Sequence, residues 1–150
     1  METGRFLIFY QSFDSVLKDI KKKEMSYMSE YGLRSVHMVC ILRMKQSEKG
    51  MTVTELAKAT QKDKALISRT IKELTADGFV TTKTTVEDKS YKKKYYLTEK
   101  SERIATDIND DIGEYMSMAR TGIPEEDMQK FYEVLSSLTR NISLIANDED

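Results

Sequence analysis

A mainly α-helical chain with one small β-hairpin is the fold class this sequence predicts, on three observations. Only one proline and six glycines interrupt 150 residues, so long helices can run without the residues that break them. Apolar residues near both ends recur at alternating spacings of three and four, the mark of an amphipathic helix. Between positions 79 and 97 the pattern changes to valine, threonine and tyrosine on either side of a polar run, which favours two short strands.

Gly32, Gly50, Gly78, Gly122 and Pro124 mark the boundaries, and the polar run from Val86 to Ser90 marks a loop. Helices are expected at about 5–29, 33–47, 53–60, 64–76, 99–121 and 125–146, and strands at about 79–85 and 91–97. The first helix carries Phe6, Phe9, Phe13, Val16 and Ile20 along one seam, and the last carries Met128, Phe131, Leu135, Leu138, Ile142 and Ile145. One such seam is readily satisfied inside a monomer. Two at opposite ends of the chain are better explained by packing against each other and across a twofold axis. Phe6, Phe9, Phe13, Phe131, Leu135, Leu138 and Ile142 are the expected interface.

The middle of the chain starts with Thr52 and Glu55 three apart, a capping box in which each side chain satisfies an orphan N–H of the first helical turn. Leu56 turns inward there, and the small Ala57 lets a second helix cross closely. After Gln61 and Lys62, Asp63 is a good N-cap for a helix that ends before Gly78. Ile67, Ile71 and Leu74 share one face of that helix, while Lys64, Ala65, Ser68, Arg69 and Lys72 share the other. Small residues admit a helix to the major groove, a hydroxyl bonds phosphate, and a guanidinium grips phosphate or guanine with two parallel bonds. An ordinary solvated face has the same pattern.

Two helices joined by a short turn and followed at once by a hairpin make a winged helix-turn-helix, here flanked by N- and C-terminal dimerisation helices. Phe79, Val80, Thr81, Thr82, Thr84 and Thr85 favour the outgoing strand, and Tyr91, Tyr95, Tyr96 and Leu97 the returning one. Lys92, Lys93 and Lys94 form a triplet on the returning strand, and alternation puts Lys92 and Lys94 on one face and Lys93 on the other. The organisation is one domain over 1–150, with a reader lobe at 51–98 and dimerisation helices and linkers at 1–50 and 99–150. Net charge is −1 overall, yet residues 54–103 carry +4 and the remainder −5. A basic middle between acidic ends suits a DNA reader with a separate assembly region, and a solvated lysine-rich face would match the charge alone. Candidate DNA contacts are Thr52, Lys64, Ala65, Ser68, Arg69, Lys72, Lys89, Lys92 and Lys94.

Several function classes fall away. One cysteine and one histidine cannot make a disulfide or a Cys/His zinc cluster, and no spacing calls for a carboxylate metal site or a cofactor. No Gly-rich phosphate loop and no Ser/His/Asp set is present, so an enzyme is not expected. The apolar runs at Phe6–Tyr10 and Val36–Leu42 fall far short of a membrane span. With no signal-like start, the expected location is the cytoplasm. Cys40 would sense oxidants only if exposed with a lowered pKa, and Met38, Val39 and Ile41 beside it favour burial.

Thr52, Glu55, Leu56 and Ala57, then Ser68, Arg69 and Leu74, then Asp77-Gly78-Phe79-Val80 and Leu97-Thr98, in that order and spacing between long terminal helices, resemble the MarR family of winged-helix transcriptional regulators. The resemblance covers nearly the whole chain. It implies a homodimer that regulates transcription by binding double-stranded DNA, expected here to be a repressor on an inverted-repeat operator. It implies a backbone role for Arg69, leaving Lys64, Ala65 and Lys72 nearer the base edges. It also implies a small aromatic or phenolic effector in a crevice near Tyr27, Tyr31, Arg34, His37, Met38 and Ile41, whose binding releases the DNA. Two positions depart from the pattern. Asp88 is followed by Lys89 and Ser90 where the family usually has an arginine two positions after the acid, and Ser101 stands where glycine is frequent. The alternative is a winged-helix protein-interaction module that keeps the apolar pattern without binding DNA specifically, or a winged-helix regulator of another family.

Overall fold

The computed structural model describes residues 2–83 and 93–147. It contains α1 (Glu2–Tyr31), α2 (Ser35–Lys45), α3 (Val53–Thr60), α4 (Lys64–Ala76), β1 (Val80–Thr81), β2 (Tyr96–Leu97), α5 (Glu99–Ala119) and α6 (Glu125–Asn147). Two compact units divide the chain, residues 1–111 and 112–150.

The first unit is built on α2, α3 and α4. Leu33, Ile41, Leu56, Ile67, Ile71, Leu74 and Ile108 are fully buried, and the α3 and α4 residues among them come from the apolar faces of their helices. Burial of each is worth roughly 1.5 to 3 kcal/mol relative to exposure. Thr52 caps α3: its hydroxyl accepts the Glu55 N–H at 3.1 Å, and the Glu55 carboxylate accepts the Thr52 N–H at 2.7 Å. Asp63 caps α4 by accepting from the Ala65 and Leu66 N–H groups at 2.8 and 3.0 Å. The turn between them is made at Gln61, whose φ of 53° lies in the left-handed region.

α4 stops through a local device. The Phe79 N–H donates to the Leu74 carbonyl at 2.8 Å and the Gly78 N–H to the Thr75 carbonyl at 3.2 Å. Gly78 has φ +76°, which a Cβ would disfavour. Phe79 therefore closes the helix, and strand pairing begins one residue later than expected. β1 and β2 are antiparallel, with Val80 opposite Leu97 and Thr81 opposite Tyr96. An isolated bridge between Met51 and Tyr95 adds a backbone pair beside β2, with N···O distances of 3.0 and 2.9 Å. Much of the expected hairpin, residues 84–92, lies outside the described residues.

α1 runs longer than expected, and α2 is shorter by two residues at each end. Phe6, Ile8, Tyr10, Val16 and Leu17 on α1 are more than half exposed in the single chain. The second unit comprises 112–119 of α5, the turn at Gly122 and α6. On α6, Met128 is buried, whereas Phe131, Tyr132, Ile142, Leu144 and Ile145 are exposed. No helix among the described residues is long and apolar enough to cross a membrane.

Candidate nucleic-acid interface

α4 separates its residues by face. Ile67, Thr70, Ile71 and Leu74 are buried, whereas Lys64, Ala65, Arg69 and Lys72 are exposed and Ser68 is half-buried. The Thr70 hydroxyl donates back to the Leu66 carbonyl at 2.9 Å, so a polar side chain on the inner face leaves no unmet donor. Asp63 occupies the Ala65 and Leu66 N–H groups. Those two amides are therefore engaged within the protein, and contacts to a phosphate would fall first to the side chains of the exposed face. Thr52, expected among the DNA contacts, is buried and accepts the Glu55 amide as the cap of α3.

At the wing root, cations lie over aromatic rings. The Lys83 ammonium is 4.7 Å from the Tyr96 ring centre, Lys93 is 5.5 Å from Tyr95, and Lys100 is 4.1 Å from Phe79. Lys93 is exposed and Lys94 half-buried. Lys89 and Lys92 lie outside the described residues. Among the described residues no His/Cys/Asp/Glu cluster could hold a metal ion.

The other expected site contains a feature that sequence reasoning missed. Arg34, just ahead of α2, and His37, in its first turn, both reach Glu73 on α4. The Arg34 guanidinium pairs with the Glu73 carboxylate, and His37 Nε2 lies 2.9 Å from the same oxygen. The Arg34 backbone N–H donates to His37 Nδ1 at 3.3 Å, which leaves Nε2 as the ring donor to Glu73. The His37 hydrogen bond, followed by the Arg34 guanidinium, holds the Glu73 carboxyl below its ordinary range. Glu73 is four residues beyond Arg69 and next to Lys72. The clasp thus engages a carboxylate that would otherwise stand unpaired beside the cationic face.

Tyr27 is buried, and its hydroxyl donates to the Asp111 carboxylate, which also pairs with Lys23 at 2.8 Å. Burial first, then Asp111, pushes the Tyr27 hydroxyl well above the ordinary tyrosine range. Lys23, then Tyr27, holds the Asp111 carboxyl low. Tyr31 is half-buried and Met38 buried. Of the expected effector contacts, Arg34 and His37 are thus brought together on Glu73, while Tyr27 is engaged with Asp111. Cys40 is fully buried, and burial pushes its thiol up to about 11. A cavity of about 340 Å³ opens near the other end of α2, where Lys45 pairs with Glu102 at 2.5 Å and Lys83, Tyr95 and Tyr96 supply one wall.

Residues 32–89 match the family model described as MarR family. Among solved structures, a MarR family transcription regulator aligns over 97% of this chain and 95% of its own, with TM-score 0.78 and 23% identity. A MarR/EmrR family transcriptional regulator from Acinetobacter aligns over 91% and 94%, with TM-score 0.74 and 20% identity. The S. aureus MepR protein, solved as a complex with DNA, aligns over 89% and 97%, with TM-score 0.74 and 14% identity.

Proposed function

We propose that this chain, which has the fold of MarR-family transcription regulators and matches the family model across its reader helices, is a sequence-specific DNA-binding regulator. It acts as a homodimeric repressor of an inverted-repeat operator, released by a small effector. The observation that carries the reading is the two-faced α4: an apolar face seated in the core, and an outer face on which Lys64, Ala65, Arg69 and Lys72 are exposed together. The solved DNA complex of a protein with this fold supports the same reading. Lys64, Ala65 and Lys72 read base edges, Ser68 and Arg69 hold phosphates, and Lys89, Lys92 and Lys94 follow the backbone from the wing. Thr52 contributes by fixing the start of α3.

The exposed apolar residues of α1 and α6, Phe6 and Phe13 on one and Phe131, Leu138 and Ile142 on the other, are covered in the homodimer. A twofold pair of reader helices then calls for an operator with matching symmetry. An aromatic effector bearing a phenolate or carboxylate competes with Glu73 for Arg34 and His37, with Tyr27, Tyr31 and Met38 around it. Binding there frees the carboxylate on α4 and biases the helix away from its DNA-bound setting.

Selection of binding sites from random duplexes tests the whole reading. An enriched inverted repeat is the expected result. Failure to enrich any sequence would favour a winged helix that contacts protein.

A further inference from the structure

Beyond the face of α4, the bonds at the root of the wing single out one residue. The turn that ends α4 leaves the Gly78 and Phe79 carbonyls facing the start of α5, where Thr98 and Ser101 meet them. The Ser101 hydroxyl donates to the Phe79 carbonyl, and its oxygen accepts the Thr98 N–H at 3.0 Å. The Thr98 N–H also approaches the Phe79 carbonyl at 3.1 Å, and the Thr98 hydroxyl donates to the Gly78 carbonyl at 2.8 Å. Ser101 is 0% exposed, so no water competes for its single proton. The Lys100 ammonium over the Phe79 ring closes on the same turn.

These contacts connect three pieces: the end of the proposed recognition helix, the returning strand of the wing, and the first turn of α5. Among the described residues the strands contribute two residue pairs, and the Met51–Tyr95 bridge adds one more contact on the returning strand. So few pairs at the root leave its angle open to twisting, because short ribbons twist readily. A side chain that grips the turn on one side and the strand end on the other supplies a further constraint.

We propose that Ser101 is a positioning residue for DNA recognition, whose hydroxyl fixes the wing against the end of α4 and so sets where wing lysines meet the duplex. The proposal rests on the DNA-binding reading. Lys93 and Lys94 are two to three residues beyond Tyr96, roughly 7 to 10 Å from the root at about 3.3 Å per residue. A rotation of about 20° at the root, straining the Met51–Tyr95 bridge as it goes, would displace them by roughly 3 Å, the length of a hydrogen bond. Phosphate contacts from the wing would then be lost while those from α4 remain.

The test measures affinity for a selected duplex as a function of salt, for the unmodified chain and for Ser101→Ala, Thr98→Val and Thr98→Ser. Loss of one phosphate contact per subunit should flatten the log–log salt slope by about 1.8 per dimer, at about 0.9 per phosphate. Ser101→Ala and Thr98→Val should both show the flattening, and Thr98→Ser, which keeps a hydroxyl, should retain the steep slope. Amide exchange in the free protein should speed up at Thr98 and Tyr96 in Ser101→Ala, with the α3 and α4 amides unchanged. A Ser101→Ala variant that melts earlier but keeps the full slope would have a merely structural serine, and the proposal would be overturned. Should Ser101→Ala fail to fold, Thr98→Val carries the same expectation through the other hydroxyl of the root. If the unmodified chain binds no duplex, the DNA reading falls and this inference with it, a result visible before any variant is made.

Discussion

Gly50 is the position where one added methyl group should do the most damage. It sits in the turn after α2, with its N–H directed to the Ser47 carbonyl at 3.4 Å and its own carbonyl accepting the Ser47 hydroxyl at 3.2 Å. Its φ is +69°, and an added Cβ would lie 2.6 Å from Tyr96 ring atoms and 2.9 Å from the Tyr95 carbonyl oxygen. The Tyr96 ring is half-exposed and can swing aside, at the expense of its contact with Lys83. The Tyr95 carbonyl is harder to shift, because it accepts the Met51 N–H of the adjoining bridge. Left-handed backbone with a Cβ costs about 1 to 2 kcal/mol, and forcing a methyl group into a filled site about 1 to 3 kcal/mol more. Gly50→Ala should therefore lose about 2 to 5 kcal/mol, against a total stability of about 5 to 15 kcal/mol for a typical domain. Urea unfolding followed by circular dichroism measures it, with the midpoint falling at unchanged slope. A loss below about 0.5 kcal/mol would refute the reasoning, since a surface substitution does as much.

Three further outcomes are expected. Arg69→Ala should weaken binding to a selected and a scrambled duplex by similar factors at one salt concentration; a loss confined to the selected duplex, of roughly 1 to 3 kcal/mol, would put the guanidinium on a base edge instead. Leu138→Lys should yield monomer or unfolded chain by light scattering at micromolar concentration, because a lysine buried in an apolar seam costs on the order of several kcal/mol; a stable dimer would remove Leu138 from the interface. Because His37 and Arg34 lower the Glu73 carboxyl from its ordinary value of 4.5, its contribution to stability is fully present above that value and is lost as pH falls through the lower folded one. Urea midpoints of Glu73→Gln and the unmodified chain should accordingly differ at neutral pH and converge on acidification, and a gap that widens in acid would contradict the clasp.

Sequence reasoning succeeded where the determinants are local. The bounds of α3 and α4 were legible to the residue because Thr52 with Glu55, and Asp63, satisfy amides only two or three residues away. The end of α4 was legible at Gly78 for the same reason. α2 was overrun at both ends: Leu33, which the apolar run takes in, is buried outside the helix, and Gln46 already caps the other end. Nothing in the spacing of Arg34, His37 and Glu73 announces a clasp, because the partners are 36 to 39 residues apart and meet only after α2 and α4 have packed. The pairing of Met51 with Tyr95 is hidden likewise: one bridge has no alternation to betray it. Ser101 looked like a minor departure from a glycine pattern, and only the folded turn shows its hydroxyl between two elements.

The buried Cys40 gives the molecule a built-in clock. A thiol with no exposure and a pKa near 11 reacts with a disulfide reagent only when the core around α2 opens. The sequence contains no other cysteine, so labelling of the unmodified chain reports on this one site, and at reagent concentrations where reaction outpaces reclosing its rate is the opening rate. No engineered probe is required, and a compound that seats beside Arg34 and His37 would register as a change in that rate before its effect on DNA is known.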